Sequence, residues 1–177
     1  MLEKPRVLFL SFDRVEGKIF MSAKKLEDFF ASFKRLDSEG MSNLYSDDAT
    51  FTDEVFKLQG RVEISRMWTV LLSNIMRKGQ ETWQLSYVVE SDTSVSWEAT
   101  YLFSATGRTV TNKVRSKFVF NSDGKVSRQV DTFDFWRWSS QALGTVGILL
   151  GWSPLLKNKL RAKALDGLNL FSKQKGS

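Results

Sequence analysis

The residue best placed to do chemistry in this sequence is Asp53, and the case for it begins with what the chain lacks. Its 177 residues include no histidine and no cysteine. Ser-His and Cys-His catalysis are therefore excluded, and so are disulfides and metal sites built on thiolate or imidazole. Proton transfer near neutral pH has to use a carboxylate whose pKa is raised by burial, or a Tyr or Lys. Asp53 lies within Tyr45 to Phe56, Tyr-Ser-Asp-Asp-Ala-Thr-Phe-Thr-Asp-Glu-Val-Phe, where it brings a carboxylate into a stretch that is turning apolar. That makes it the candidate general base. The competing role is structural, a cap that accepts backbone N–H groups at the Glu54-Val55 turn.

The elements that must hold such a group are legible from periodicity. The length suits one domain, and 42% apolar with 26% charged residues is an ordinary globular balance. Six Trp and fourteen Phe imply a thickly aromatic core or a cavity walled by rings. Leu26, Phe29, Phe30, Phe33 and Leu36 recur at helical spacing from Ser22 onward. Ser38-Glu39-Gly40 breaks that helix, and Met41 to Tyr45 forms a short second turn. Ala49 to Val55 reads as a strand with Phe51 and Asp53 on one face. Arg61 to Lys78 is helical again, closed by Gly79. Four strands follow, Trp83 to Glu90, Ser94 to Ala105, Thr109 to Asn121 and Lys125 to Trp136, joined by short polar turns. The third alternates Val110, Asn112, Val114, Ser116, Phe118 and Phe120 against Thr111, Lys113, Arg115 and Lys117, which predicts one buried and one wet face. A Gly-spaced apolar run, Gly144 to Trp152, precedes a last helix opened by Pro154. The plan is α+β, a strongly curved antiparallel sheet wrapped around N-terminal helices as a cone, with an extra C-terminal helix.

Residues 22–138 are expected to form the cone domain, 139–177 an apolar segment and basic helix, and 1–21 an N-terminal extension. Val7 to Phe12 is too short for a signal-peptide core, and Met21 resembles a natural start. The formal charge is +6, yet Lys157, Lys159, Arg161, Lys163, Lys173 and Lys175 against Asp166 place five of those charges after Ser153. Basicity confined to a tail, with no aromatic platform in the sheet, argues against nucleic acid. The absence of Cys fits a cytoplasmic location. The tail helix is a solvated basic face with its Leu stripe packed on the domain, a lid over the cone, or a surface helix touching anionic lipid.

Ser22 to Trp136 resembles the superfamily of nuclear transport factor 2, the steroid Δ-isomerases, limonene epoxide hydrolase and the SnoaL-like polyketide cyclases, whose fold is the cystatin-like cone. Tyr45 to Asp53 is similar to the segment carrying the general base of bacterial ketosteroid isomerases, and Phe118-Val-Phe-Asn-Ser-Asp-Gly-Lys-Val126 to their sheet hairpin. Asp131-Thr-Phe-Asp-Phe-Trp-Arg-Trp-Ser139 resembles a segment of SnoaL-like bacterial proteins. The resemblance implies that Asp53 is the base. It also implies that the isomerase oxyanion-hole positions are occupied here by Phe29 and Ser116, which cannot reproduce a Tyr and a protonated acid. The hairpin match turns Gln129, Asp131 and Phe133 toward the cone interior, so Asp131 joins Asp53 as a second acid or base, unless it pairs with Arg128 or Arg137.

Phe33, Trp68, Trp97, Tyr101, Phe118 and Phe133, with Phe29, are then the expected cavity walls. Asn112, Ser116 and Gln129 are the expected orienting polar groups. The implied ligand is a small apolar, cyclic or lipid-like molecule, with no cofactor and no metal. Homodimerisation through the sheet and a purely non-catalytic interaction module remain alternatives, because relatives of this fold pair through that surface.

Overall fold

Apolar side chains at helical spacing in the first third of the chain can be buried only if a sheet is folded around them, and the architecture follows from that. The structure, a computed structural model, describes residues 7–175, with side chains described for residues 21–170. Helix α1 (Val7–Lys34) buries Leu26, Phe29, Phe30 and Phe33. It begins well before Ser22, so no structural break falls at the expected domain boundary. The packing of residues 1–20 lies outside the described side chains. The chain reverses at Leu36, whose φ of 60° is unusual for a non-glycine residue. Helix α2 (Ser38–Ser42) begins immediately afterwards. Ser38-Glu39-Gly40 was expected to break the helical pattern and instead forms its first turn, because Asp37 Oδ1 accepts the Gly40 N–H at 2.8 Å.

Strands β1 (Tyr45–Thr52), β2 (Lys57–Gln59), β3 (Gln84–Ser91), β4 (Ser94–Phe103), β5 (Arg108–Phe120) and β6 (Val126–Phe133) form one unclosed, curved sheet in the order β2-β1-β6-β5-β4-β3. Helix α3 (Arg61–Lys78) lies between β2 and β3 in the chain and packs on β1. All pairings are antiparallel except β1 with β6, which is parallel. That pairing, with Tyr45 opposite Val126, draws Tyr45 to Asp48 into a strand although they read locally as the end of a helical turn. At the other end β1 stops at Thr52. The Asp53 N–H then bonds Phe56 O at 3.0 Å, and Asp53 sits in the turn rather than on the pleat. Strand β6 likewise stops before the expected Trp136, because Asp134 accepts the Arg137 N–H at 2.9 Å and caps helix α4 (Phe135–Leu143). The alternation of β5 is as the sequence predicts, with Val110, Val114, Ser116 and Phe118 buried. On the outer face Lys113 pairs with Glu98 at 3.1 Å and Arg115 with Glu90 at 2.6 Å.

Helices α5 (Thr145–Leu150) and α6 (Pro154–Lys175) complete the chain. Leu168 of α6 is buried in the main core and Ala164 packs against it. The Arg161 guanidinium donates to Val55 O at 3.0 Å and to Glu54 O at 3.3 Å, while Lys157 pairs with the Glu54 carboxylate. The basic helix is therefore docked on α3 and on the turn after β1. No helix among the described residues is long and apolar enough to cross a membrane.

The Gly spacing before α6 has a steric cause. A Cβ on Gly147 would collide with the Ser139 carbonyl, and one on Gly151 with the Ser139 hydroxyl and the Gly147 carbonyl. Only glycine lets α5 lie this close against α4. Replacing Gly147 with Ala should lower the unfolding free energy by about 1–3 kcal/mol, because overpacking against backbone outweighs the gain in helix propensity. Urea denaturation of the variant measures this, and an unchanged or raised stability would contradict the packing described.

Candidate active site

The inner face of the sheet, helix α3 and helix α6 enclose a cavity of about 390 Å3. Its walls are mainly aromatic and aliphatic, including Phe33, Trp68, Trp97 and Phe133. Leu160, Lys163, Ala164, Gly167 and Leu168 of α6 line it too, so the tail helix is part of the enclosure.

Both candidate carboxylates line this cavity. Asp53 Oδ1 accepts the Val55 N–H at 2.6 Å and the Phe56 N–H at 2.5 Å. The structural and chemical roles thus coexist, since one oxygen ties the turn together and Oδ2 has no hydrogen-bond partner among the described residues. Burial raises the Asp53 pKa to about 6, against the lowering effect of the Phe56 and Val55 N–H groups; Glu54 pushes it up slightly and Arg161 down.

Asp131 stands at the end of two hydrogen-bond relays. The Trp97 Nε1–H donates to Ser116 Oγ at 2.8 Å, and that hydroxyl donates to Asp131 Oδ1 at 2.6 Å. In the second relay the Trp68 Nε1–H donates to the Tyr45 hydroxyl at 3.1 Å, and that hydroxyl donates to Gln129 Oε1. The Gln129 amide then donates from Nε2 to the same Asp131 Oδ1 at 2.9 Å. An indole N–H can only donate, which fixes the direction of every bond in both relays. Oδ1 is consequently an acceptor twice over, and a proton on Asp131 belongs on Oδ2, the oxygen without a partner. Burial raises the Asp131 pKa to about 7 despite the lowering effects of Ser116 and Gln129, with a further upward push from the charge of Asp53. It pairs with neither Arg128 nor Arg137.

Two uncharged groups, among others, add to the polar lining. The Tyr101 hydroxyl accepts the Trp138 Nε1–H at 2.9 Å, which leaves its own proton free for a ligand. Burial, with the Asp53 charge adding to it, raises its pKa to about 12 and keeps it a donor. Asn112 faces Ala99 across the β4–β5 ladder and lines the cavity. Its side-chain amide has no hydrogen-bond partner among the described residues.

Eight of the expected site residues, Asp53, Asp131, Phe33, Trp68, Trp97, Tyr101, Asn112 and Phe133, meet on the cavity wall. Phe29, Phe118, Ser116 and Gln129 do not, and they stand behind that wall. Phe29 packs edge-on against Phe118, Tyr45 and Trp68 at centroid distances of 5.7, 6.0 and 6.1 Å, filling the layer behind the wall. Ser116 and Gln129 are buried and hold Asp131. Sequence reasoning missed Tyr45 as a relay member and Trp138 as the partner of Tyr101. Tyr45 read from the sequence as the end of a short helical turn, and its destination depended on the β1–β6 pairing. Trp138 lies beyond the strand to which the cavity face was traced.

The fold is shared with solved structures at low sequence identity. A nuclear-transport-factor-2-like protein from Burkholderia thailandensis matches with a TM-score of 0.55 at 17% identity, over 69% of this chain and 96% of its own. A candidate polyketide cyclase from a Silicibacter species matches at 0.53 and 14%, over 68% and 93%. A ketosteroid isomerase-like protein from Erwinia carotovora matches at 0.50 and 16%, over 66% and 95%. No curated protein matches the sequence. The family model of the SnoaL-like domain matches residues 26–129, more than half of the chain, and the protein therefore belongs to the SnoaL-like domain family.

Proposed function

We propose that the protein binds a small apolar, cyclic or lipid-like molecule in this cavity and moves a proton on it between Asp53 and Asp131. One observation carries the reading: two carboxyl groups, with pKa values raised to about 6 and about 7, line the same apolar cavity of about 390 Å3. That volume suits a small organic ligand. At pH 7 Asp53 is largely ionised and serves as the base, while Asp131 is protonated in about half of the molecules and serves as the acid.

In the proposed step Asp53 Oδ2 takes a proton from the ligand, either from carbon beside a carbonyl or from a water attacking it. Asp131 Oδ2 delivers a proton to the ligand atom that gains electron density. Asp53 ends protonated and Asp131 ionised, and exchange with water restores both. The Tyr101 hydroxyl and the Asn112 amide supply the donors that an isomerase, cyclase or hydrolase needs at a developing oxyanion. The apolar walls keep both carboxyls in their raised range by excluding water.

Thermal denaturation in the presence of steroids, terpenoid epoxides and polyketide mimics tests the binding. A fitting ligand at a hundred times its Kd adds about 2.7 kcal/mol of stability, a rise of several degrees. No shift with any apolar cyclic compound would count against the proposal. With a turned-over ligand in hand, Asp53→Asn should lower kcat by about 100-fold or more and leave binding within a few-fold, because the amide oxygen still accepts the turn N–H groups. Equal turnover would remove Asp53 from the chemistry.

The raised pKa values also make a prediction about stability. An unfolded Asp titrates near about 3.9, so the folded state holds these protons more tightly. Their contribution is greatest at low pH and is lost as pH rises through about 6 and about 7. Unfolding free energy should fall by about 2–4 kcal/mol between roughly pH 5 and 8. No histidine titrates in that window. Asp131→Asn should remove the larger share of the fall; urea midpoints across this range that stay flat, or climb, would show that the carboxyls titrate normally.

A further inference from the structure

Helix α5 is assembled inside out. Its glycine face is buried against α4, while Val146, Ile148 and Leu149 are 51%, 53% and 63% exposed. A helix that serves only its own domain buries its large apolar side chains and exposes its small or polar ones. The exposed surface continues through Trp152 at 74% and Leu155 at 77%, at the corner where α5 gives way to α6. It also includes Trp136, whose Nε1–H donates to Ile148 O at 3.1 Å, as the Trp152 Nε1–H does to Leu149 O at 3.0 Å. Both indole rings are thus fixed to the α5 backbone, forming one contiguous patch of the kind that marks an interaction surface.

The charges along the segment that carries the patch are mainly cations, with the exposed cap residue Asp134 at its edge. From Phe135 to Leu165 there is no Asp or Glu, against Arg137, Lys157, Lys159, Arg161 and Lys163. Lys157 and Arg161 are engaged with the turn after β1. Arg137, Lys159 and Lys163 have no acidic partner among the described residues. A second copy of the chain would bring the same cations against this surface with only the cap carboxylate of Asp134 at its edge to meet them, which disfavours self-association. A bilayer with anionic headgroups offers both requirements, an apolar layer for the leucines and tryptophans and negative charge for the flanking bases. Tryptophan is also the side chain best suited to the headgroup boundary.

We propose that the α5–α6 corner, led by Ile148, Leu149, Trp152 and Leu155 and flanked by Arg137 and Lys159, is a docking surface for anionic membranes. The protein lies on the bilayer through this corner without spanning it. The inference rests on surface chemistry alone and stands whatever molecule the cavity holds. Because α6 also lines the cavity, docking brings one wall of the enclosure to the lipid surface.

Co-sedimentation of the full chain with mixed phosphatidylcholine–phosphatidylglycerol vesicles, and with phosphatidylcholine alone, tests the proposal. The expected result is binding to the mixed vesicles that is more than about tenfold tighter than to the neutral ones, weakens with salt, and comes with a blue shift of tryptophan emission. Trp152→Ser combined with Leu155→Ser, both solvent-exposed and so compatible with an unchanged melting curve, should weaken binding by more than about tenfold. Arg137→Glu with Lys159→Glu should abolish the preference for anionic lipid. The proposal is overturned by absent or charge-independent vesicle binding, or by a Trp152→Ser/Leu155→Ser variant that binds as the parent does. It is equally overturned if sedimentation equilibrium shows a dimer that this variant dissolves while vesicles are ignored.

Discussion

A carboxyl group buried without a counter-ion is the constraint on which the rest of this structure depends. Asp131 is only 6% exposed, and among the described residues no Lys or Arg pairs with it. In such a place the ionised form is penalised by lost solvation, and an isolated charge would simply be neutralised by a proton. What keeps both forms accessible near neutral pH is the pair of relays ending on Oδ1, each begun by an indole that can only donate. These place two oriented donors on one oxygen and none on the other. The wall aromatics Trp68 and Trp97 therefore do more than fill space, since removing either ring would leave a buried hydroxyl with one partner fewer. Core and site share the same residues here, so the stability and the chemistry of the cone are not separable properties.

Asp53 and the tail helix are joined in a comparable way. The turn that Asp53 caps from within is held from outside by Arg161 on the Val55 and Glu54 carbonyls and by Lys157 on the Glu54 carboxylate. Glu54, Val55 and the α6 contacts form one unit, so any movement of α6 away from the cavity would pull on the segment that orients the proposed base. The basic charge that composition places in the tail thus has two parts. Lys157 and Arg161 fasten the helix to the domain, Lys163 stands at the cavity, and Lys159 has no acidic partner among the described residues.

Much of the fold was legible because local and tertiary preferences agree. The phenylalanine stripe of α1, the Arg61–Lys78 helix bounded by glycines and the alternation of β5 are each dictated by periodicity, and the structure keeps them. The failures occur where a long-range partner decides the local state. Tyr45 to Asp48 became strand because β6 lies alongside, and Ser38 to Gly40 became helix because Asp37 supplied a cap. Trp136 became helical because Asp134 ended the strand. The site divided in the same way. Residues on the inward face of a strand could be named from alternation, but depth along the cone could not. Phe29 and Phe118 accordingly proved to lie one layer behind the surface that Phe33 and Phe133 present.

The isomerase-like positions show how little a fold constrains the chemistry set within it. Where that resemblance implies a hydroxyl donor and a protonated acid, the chain carries Phe29 and Ser116, which alone would argue that the cavity has lost its polar function. Ser116, however, lies directly opposite Asp131 in the β5–β6 ladder and hands it a hydrogen bond. A carboxyl group thus stands one strand over, on Asp131, and the serine donates to it there. A hydroxyl lines the cavity from Tyr101 on β4, where it accepts the Trp138 Nε1–H. A cavity in this fold is lined from several strands at once, so a donor or an acid can be supplied from a neighbouring strand at the same depth. The polar complement of such a site has to be sought around the whole wall, because position-by-position comparison with a relative registers only the losses.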